Sequence, residues 1–323
     1  MDLDITVIIP TYNREKDLER TLEGMVRAEK GDLAVEVVVV DNGSTDQTKS
    51  VVDSFHGRIP IHYLFEARSG KNRALNTALE RSRLGRIIVF TDDDVDVSPD
   101  WFISIHSVCD RWPNHSIFGG RIDVIFPVEN IPAWASDPYL SAIGFARHNW
   151  SDKECIYSYT VTPFGPNYWV RREVFDKGRR FDEAIGPHPT NRITGDETSF
   201  LIALVNDGYE IVYSPTVIVG HRVKPEMLNL STIYKRAYQC GRGQAHIYYP
   251  PAQTKLTRIW PKLNENFLAW RFYRTASIIL HAFMLLASFI LSSKTKRPPN
   301  VAKKVENLGY RVEAIRLLRE RPN

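Results

Sequence analysis

The chain has 323 residues, 43% hydrophobic and 25% charged, with a formal net charge of +4. That balance suits a folded protein with a sizeable core and excludes extensive disorder. Its three cysteines, Cys109, Cys155 and Cys240, form no CxxC pair, which argues against a zinc site or disulfide framework and suits a reducing compartment.

The first segment is the apolar run Ile5-Thr6-Val7-Ile8-Ile9, which stops at Pro10-Thr11-Tyr12-Asn13-Arg14. It reads as a buried strand, and because it starts almost at the first residue no signal peptide is expected. A helix is predicted over 15–27. Residues 35–40, nearly all β-branched, predict a second strand that stops at Asp41-Asn42-Gly43-Ser44-Thr45-Asp46. A helix follows over 46–55, with Asp46 as its cap. A third strand over 61–65 leads to Gly70-Lys71-Asn72-Arg73 and a helix over 71–83. The fourth, Ile87-Ile88-Val89-Phe90, runs into Thr91-Asp92-Asp93-Asp94, and another helix starts near Ser98-Pro99.

Strands alternating with helices predict an α/β fold with right-handed crossovers and a mostly parallel sheet flanked by helices. In such a sheet ligands collect beyond the carboxyl ends of the strands, so Asp41 and the Asp92–Asp94 cluster are expected to be neighbours. Three adjacent carboxylates repel one another unless positive charge lies between them. Magnesium or manganese is a fitting hard partner; a solvated acidic turn that caps the next helix is the alternative.

The second half contains Phe164-Gly165-Pro166-Asn167-Tyr168-Trp169, then Phe181-Asp182-Glu183, then Gly195-Asp196-Glu197 ahead of an amphipathic helix ending near Asp207-Gly208. Two strand-like pieces, 210–213 and 217–219, precede Gly220-His221-Arg222. Residues 254–323 carry fourteen Lys or Arg against four Glu, a local charge of +10, which leaves −6 for the rest. An acidic body with a basic tail is not the footprint of a nucleic-acid groove, and it suits a tail that meets an anionic surface. Within that tail, residues 276–291 are apolar apart from Ser277, His281 and Ser288. Sixteen residues fall short of the roughly 20 needed to span a bilayer. An interfacial helix and a buried core helix both remain open. Pro298-Pro299 ends the stretch, and a short basic helix is expected beyond it.

In their order and spacing these motifs resemble the family 2 inverting glycosyltransferases, nucleotide-sugar enzymes of the GT-A fold, over roughly residues 4–225. The matching segments are 7–14, 38–46, Gly70-Lys71-Asn72-Arg73-Ala74-Leu75-Asn76 and the Asp92-Asp93-Asp94 match to the DxD motif. The resemblance implies a Rossmann-like catalytic domain over 1–225, with a nucleotide-sugar half of about 1–97 and an acceptor half of about 98–225. A basic, helical, membrane-associating extension follows over 226–323. It implies donor contacts from Pro10, Thr11, Tyr12, Arg14, Asp41, Gly70, Lys71, Asp92 and Asp93, with Asp41 accepting from a base imide nitrogen. It implies a divalent metal, Mn²⁺ or Mg²⁺, held by Asp94, Asp92 and His221, and an acceptor edge at Gly165 and Asn167. The second acid of the 196–197 pair is the family's usual general base. Many relatives read Glu-Asp there and this chain reads Asp-Glu, so Glu197 leads and Asp196 stays a rival. Many also read Ala-Arg-Asn at 74–76. Leu75 removes a phosphate role from that position and shifts it to Lys71.

The expected partners are a UDP-sugar or other nucleotide-sugar, a saccharide or lipid-linked acceptor, and an anionic membrane surface on the cytoplasmic side. Arg222 is a candidate diphosphate contact, and Tyr234, Arg236 and a Gly241-Arg242-Gly243 turn are candidates for a segment over the donor. Two alternatives are weighed. A nucleotidylyltransferase wants glycines after its first strand, and Pro10–Arg14 has none. A catalytically silent nucleotide-sugar-binding or membrane scaffold is opposed by the intact acids. No Gln-x-x-Arg-Trp signature stands near Arg242, which disfavours a processive synthase.

Overall fold

The computed structural model describes residues 3–158, 161–186, 193–248 and 298–319. β1 (Ile5–Thr11), β2 (Val35–Asp41), β3 (Ile61–Phe65) and β4 (Ile87–Phe90) pair in parallel in the order β3-β2-β1-β4. α1 (Glu15–Arg27), α2 (Thr48–Ser54) and α3 (Lys71–Arg81) are the crossovers between them. The β-branched runs form strands because both faces of the sheet are covered. In β1, Ile5, Val7 and Ile9 enter one core with α1 and α4 (Trp101–Arg111), and Ile8 enters the other with α3. Each such fully buried aliphatic side chain contributes about 1.5–3 kcal/mol.

Beyond β4 the sheet continues as β8 (Tyr168–Arg171), β6 (Ile117–Ile125), β9 (Ile211–Arg222) and β5 (Val95–Val97), with β7 (Cys155–Ile156) also on β9. β8 runs antiparallel to both β4 and β6, whereas β6 and β9 are parallel. Six of the nine strands among the described residues therefore point one way, and their carboxyl ends share one edge. β9 is a single strand where the sequence reads as two pieces. Pro215 has no N–H to give a ladder, and the pairing shifts register there, opposite Gly120 and Arg121. α5 (Pro138–Phe145), α6 (Arg172–Asp176) and α7 (Asp196–Asn206) complete this part of the chain.

The chain divides into two compact units. The first comprises Met1–Glu129, Phe145–Asn191 and Asp196–Pro225 and contains the sheet. The second comprises Asn130–Gly144, Arg192–Gly195 and Glu226–Asn323, including α8 (Leu230–Tyr248) and α9 (Pro298–Arg319). The Gly241-Arg242-Gly243 segment, expected as a turn, lies inside α8. Its glycine serves close packing: a Cβ on Gly241 would fall 1.8 Å from the Glu306 carbonyl oxygen of α9. Between the same helices, buried Glu313 accepts from Arg242 at 2.7 Å, Arg316 at 2.7 Å and His246 at 3.0 Å. Arg236 donates to the Gly144 carbonyl. Among the described residues no helix is long and apolar enough to cross a membrane, and 276–291 lies outside them.

Candidate active site

The acid cluster is built at the tip of β4. Its backbone is tied down from two sides, by Thr21 and by Arg222. The Thr21 hydroxyl, on α1, donates to the Asp93 carbonyl at 2.8 Å and accepts from the Val95 N–H at 3.2 Å. Arg222, at the end of β9, donates to the carbonyls of Val95 and Asp17 and to Asp96. Arg222 is buried, and its guanidinium is committed to this scaffold rather than offered to a diphosphate, which corrects the expectation for it.

The three acids then separate in role. Asp93 is buried, with Oδ1 taken by Arg14 at 2.9 Å and Oδ2 by the Thr11 hydroxyl at 2.8 Å. Burial pushes its pKa up to about 6, against the pull of Arg14. Asp93, Thr11 and Arg14, all expected at the donor, bond to one another here. Arg14 also reaches Asp94 Oδ2 at 2.5 Å. Asp94 turns to His221, whose Nε2 lies 3.3 Å from Oδ1. Asp92 turns the other way and accepts from Lys71 Nζ at 2.8 Å. Among the described residues no three His, Cys, Asp or Glu side chains converge on one cation position; of the expected Asp94, Asp92 and His221, the first and last face one another and Asp92 turns to Lys71.

That pair fits a cation. His221 Nδ1 is 2.7 Å from the Phe145 carbonyl oxygen, which only accepts, so Nδ1 carries a proton and Nε2 is the nitrogen that faces Asp94, where a bound cation would take the place of a proton on it. Asp94 Oδ1 is buried and has no hydrogen-bond donor among the described residues. Two electron-pair donors 3.3 Å apart match neighbouring corners of an octahedral shell with bonds of about 2.1 Å. As a bare ion pair, burial disfavours the charge on both groups, yet His221 is raised and Asp94 is lowered by their mutual attraction.

Lys71 is delivered by Gly70, whose φ of 136° is open to glycine and strained for other residues. The Gly70 N–H is fixed to Asn42 Oδ1 at 2.7 Å. The ammonium then lies 2.8 Å from Asp92 and 3.9 Å from Asp196 Oδ2, a buried oxygen with no hydrogen-bond partner among the described residues. Lys71 was expected at the phosphates; here it bridges the β4 acid to the first turn of α7. Burial works against its charge, but Asp92, Asp196 and Glu197 together raise its pKa. Leu75 is in the core.

Glu197 follows Asp196 in that first turn. Its Oε1 accepts from the Gly165 N–H at 3.3 Å. Loss of water and the neighbouring Asp196 charge push the Glu197 pKa up to about 8, with Lys71 opposing. Gly165 is the hub of this group. A Cβ there would lie 3.1 Å from Lys71 Nζ and 3.7 Å from both the Asp92 and the Glu197 carboxyls. The Thr91 hydroxyl pins the next residue, donating to the Pro166 carbonyl at 2.7 Å. Asn167 does not border this space. It is fully buried, its amide donates to the Arg121 and Val217 carbonyls, and its oxygen accepts from Trp101, which corrects its expected acceptor contact.

Asp41 pairs in register with Thr11. It accepts from the Ser44 N–H at 2.7 Å and the Tyr63 hydroxyl at 2.8 Å. Pro10 precedes Thr11 in β1, and Tyr12 beyond it is half exposed. Asp46, expected as the cap of α2, lies one residue before the N-cap Gln47; it accepts from the Thr48 N–H and from the Glu15 N–H that opens α1. Contacts and pairings therefore run from Asp41 through Thr11, the Asp92–Asp94 turn and Lys71 to Asp196 and Glu197. Sequence reasoning missed Thr21, Thr91 and Asn72, the last tying α3 to the Asp182 and Ile185 carbonyls. Single polar residues on a helix face, or just past a strand as Thr91 is, carry no signal of such distant partners.

Residues 6–179 match the family model described as Glycosyl transferase family 2. The chain belongs to that family. It is an enzyme of the glycosyltransferase class, and its fold is GT-A. Glycosyltransferase AglE of Haloferax volcanii is 26% identical over 246 residues, 76% of this chain and 74% of that one. A mannosyltransferase from Pyrobaculum calidifontis, solved with GDP-Man and Mn²⁺, superposes with a TM-score of 0.62 at 18% identity, over 98% of this chain and 88% of the other. The Staphylococcus aureus TarS 1–349 structure in complex with UDP gives 0.52 at 16% identity, over 98% and 92%. At those identities the likeness is one of fold.

Proposed function

We propose that this transferase moves a sugar from a nucleoside diphosphate sugar to a hydroxyl of a saccharide or lipid-linked acceptor, with inversion at the anomeric carbon. A UDP-sugar is the leading donor. The observation that carries the reading is the meeting of Lys71, Asp92, Asp196 and Glu197 around the backbone of Gly165. A donor-side acid and a candidate base there share one small space with no side chain in it.

Asp41 accepts a base N–H, and Asp92 takes the donor sugar or ribose hydroxyls. Asp94 and His221 would hold a divalent cation whose charge offsets that of the departing diphosphate. Glu197 takes the proton of the acceptor hydroxyl as its oxygen bonds to the anomeric carbon. The bond from that carbon to the diphosphate breaks, and the nucleoside diphosphate leaves with the electron pair. Asp196 faces Lys71 Nζ at 3.9 Å, which leaves Glu197 as the leading base and Asp196 as its rival. A poised carboxylate of this kind is worth about 10²–10⁴ in rate. The basic C-terminal tail suits peripheral attachment to an anionic cytoplasmic membrane face.

The test is a panel of UDP- and GDP-sugars with saccharide acceptors, run on wild type, Glu197→Gln and Asp196→Asn. Glu197→Gln is expected to lose about 10²–10⁴ in kcat while still binding donor. Full turnover by that variant would remove Glu197 from the mechanism.

A further inference from the structure

Strand register places a third side chain beside the two strand-tip residues already assigned to the donor. Thr11 pairs with Asp41, and Asp41 pairs with Phe65. Residues opposite one another on neighbouring strands project from the same face of a sheet, with strands about 4.8 Å apart. Thr11, Asp41 and Phe65 therefore form one row across the ends of β1, β2 and β3. Tyr63, two residues earlier on the same face of β3, confirms the direction by donating to Asp41 Oδ2.

The row changes character along its length. Thr11 and Asp41 are 3% exposed, whereas Phe65 is 50% exposed. Tyr12, just past the tip of β1, is also 50% exposed. A lone exposed aromatic is ordinary. Here Phe65 ends the strand on one side of a buried carboxylate and Tyr12 directly follows the strand on its other side, at the edge where α/β sheets take ligands. The Asp41 oxygens act as acceptors, from the Ser44 N–H and the Tyr63 hydroxyl, so the complement of this carboxylate is a planar ring that offers an N–H at its rim. Such a ring also needs an apolar face to lie against.

We propose that Phe65 is the stacking wall of the base subsite, set opposite Tyr12 across Asp41. The occupant is a base with a ring imide N–H, as in uridine or guanosine. Phe65 adds no hydrogen bond; it shields the base from water and holds it flat at the Asp41 carboxylate. The assignment rests on the donor reading above and specifies which residue of β3 serves it.

Calorimetric titration of uridine, UDP and manganese pyrophosphate into wild type, Phe65→Ala, Phe65→Leu and Phe65→Tyr tests it. Base–aromatic stacking predicts that Phe65→Ala weakens UDP and uridine by about 5- to 100-fold. Phe65→Leu, which keeps apolar bulk and loses the flat ring, should weaken both as well. Phe65→Tyr should bind like wild type, and pyrophosphate should bind all four alike. Wild-type affinity for UDP in Phe65→Ala and Phe65→Leu would overturn the assignment and leave the donor reading standing. So would an equal loss for pyrophosphate. A wild-type protein that binds no nucleoside diphosphate overturns both.

Discussion

At the scale of single residues, the site divides charge between two pairs. Lys71 balances Asp92 and Asp196 on one side, and Arg14 balances Asp93 and Asp94 on the other. Asp94 keeps one oxygen facing His221. Asp94→Ala is therefore expected to abolish tight Mn²⁺ binding, read by the paramagnetic signal of free Mn²⁺ in the presence of UDP. Unchanged binding would remove Asp94 and His221 from the metal shell. Glu197 makes a second prediction. Its pKa is raised to about 8, so at neutral pH the protonated, non-basic form is in excess. kcat/KM should rise with pH through the neutral range, tenfold per unit at first, and level off near pH 8. Removing the like charge in Asp196→Asn should slide that limb to lower pH. A flat profile from pH 6 to 9 would contradict Glu197 as base.

At the scale of elements, the parallel half of the sheet was legible and the rest was not. β3 and β4 span the residues their apolar runs predict, and β1 and β2 extend those runs to Thr11 and Asp41. These strands are covered on both faces, so they must be apolar throughout, and that is visible locally. β9 was hidden because Pro215 interrupts its pattern, while partners on both sides hold it as one strand. Gly241 misled in the opposite sense. Glycine usually marks a turn, but here α9 approaches α8 so closely that no side chain fits. Gly241→Ala should force the helices apart and cost about 1–3 kcal/mol, seen as a lowered thermal midpoint. A midpoint equal to wild type would mean that the two helices are not held this close.

At the scale of the whole molecule, charge is segregated along the chain: +10 in residues 254–323 and −6 elsewhere. Sedimentation with vesicles should carry the protein down with anionic lipid but not with neutral phosphatidylcholine, and high salt should release it. Protein that stays in solution with anionic vesicles would remove the membrane from its function.

The amino-acid sequence alone determined the α/β class and the family, and it singled out the acids at the strand ends as candidates. Strand patterning and strand-end chemistry depend on neighbours a few residues away, so a short stretch of chain is enough to reveal them. Only the tertiary structure decided how those acids are used. Asp92, Asp93 and Asp94 are consecutive, yet one faces Lys71, one is absorbed by Thr11 and Arg14, and one is left to His221. A buried carboxylate takes its role from whichever donor packing brings within about 3 Å. Those partners come from the end of β1 and the turn after it, from α3 and from β9, distant in sequence and joined only by the fold.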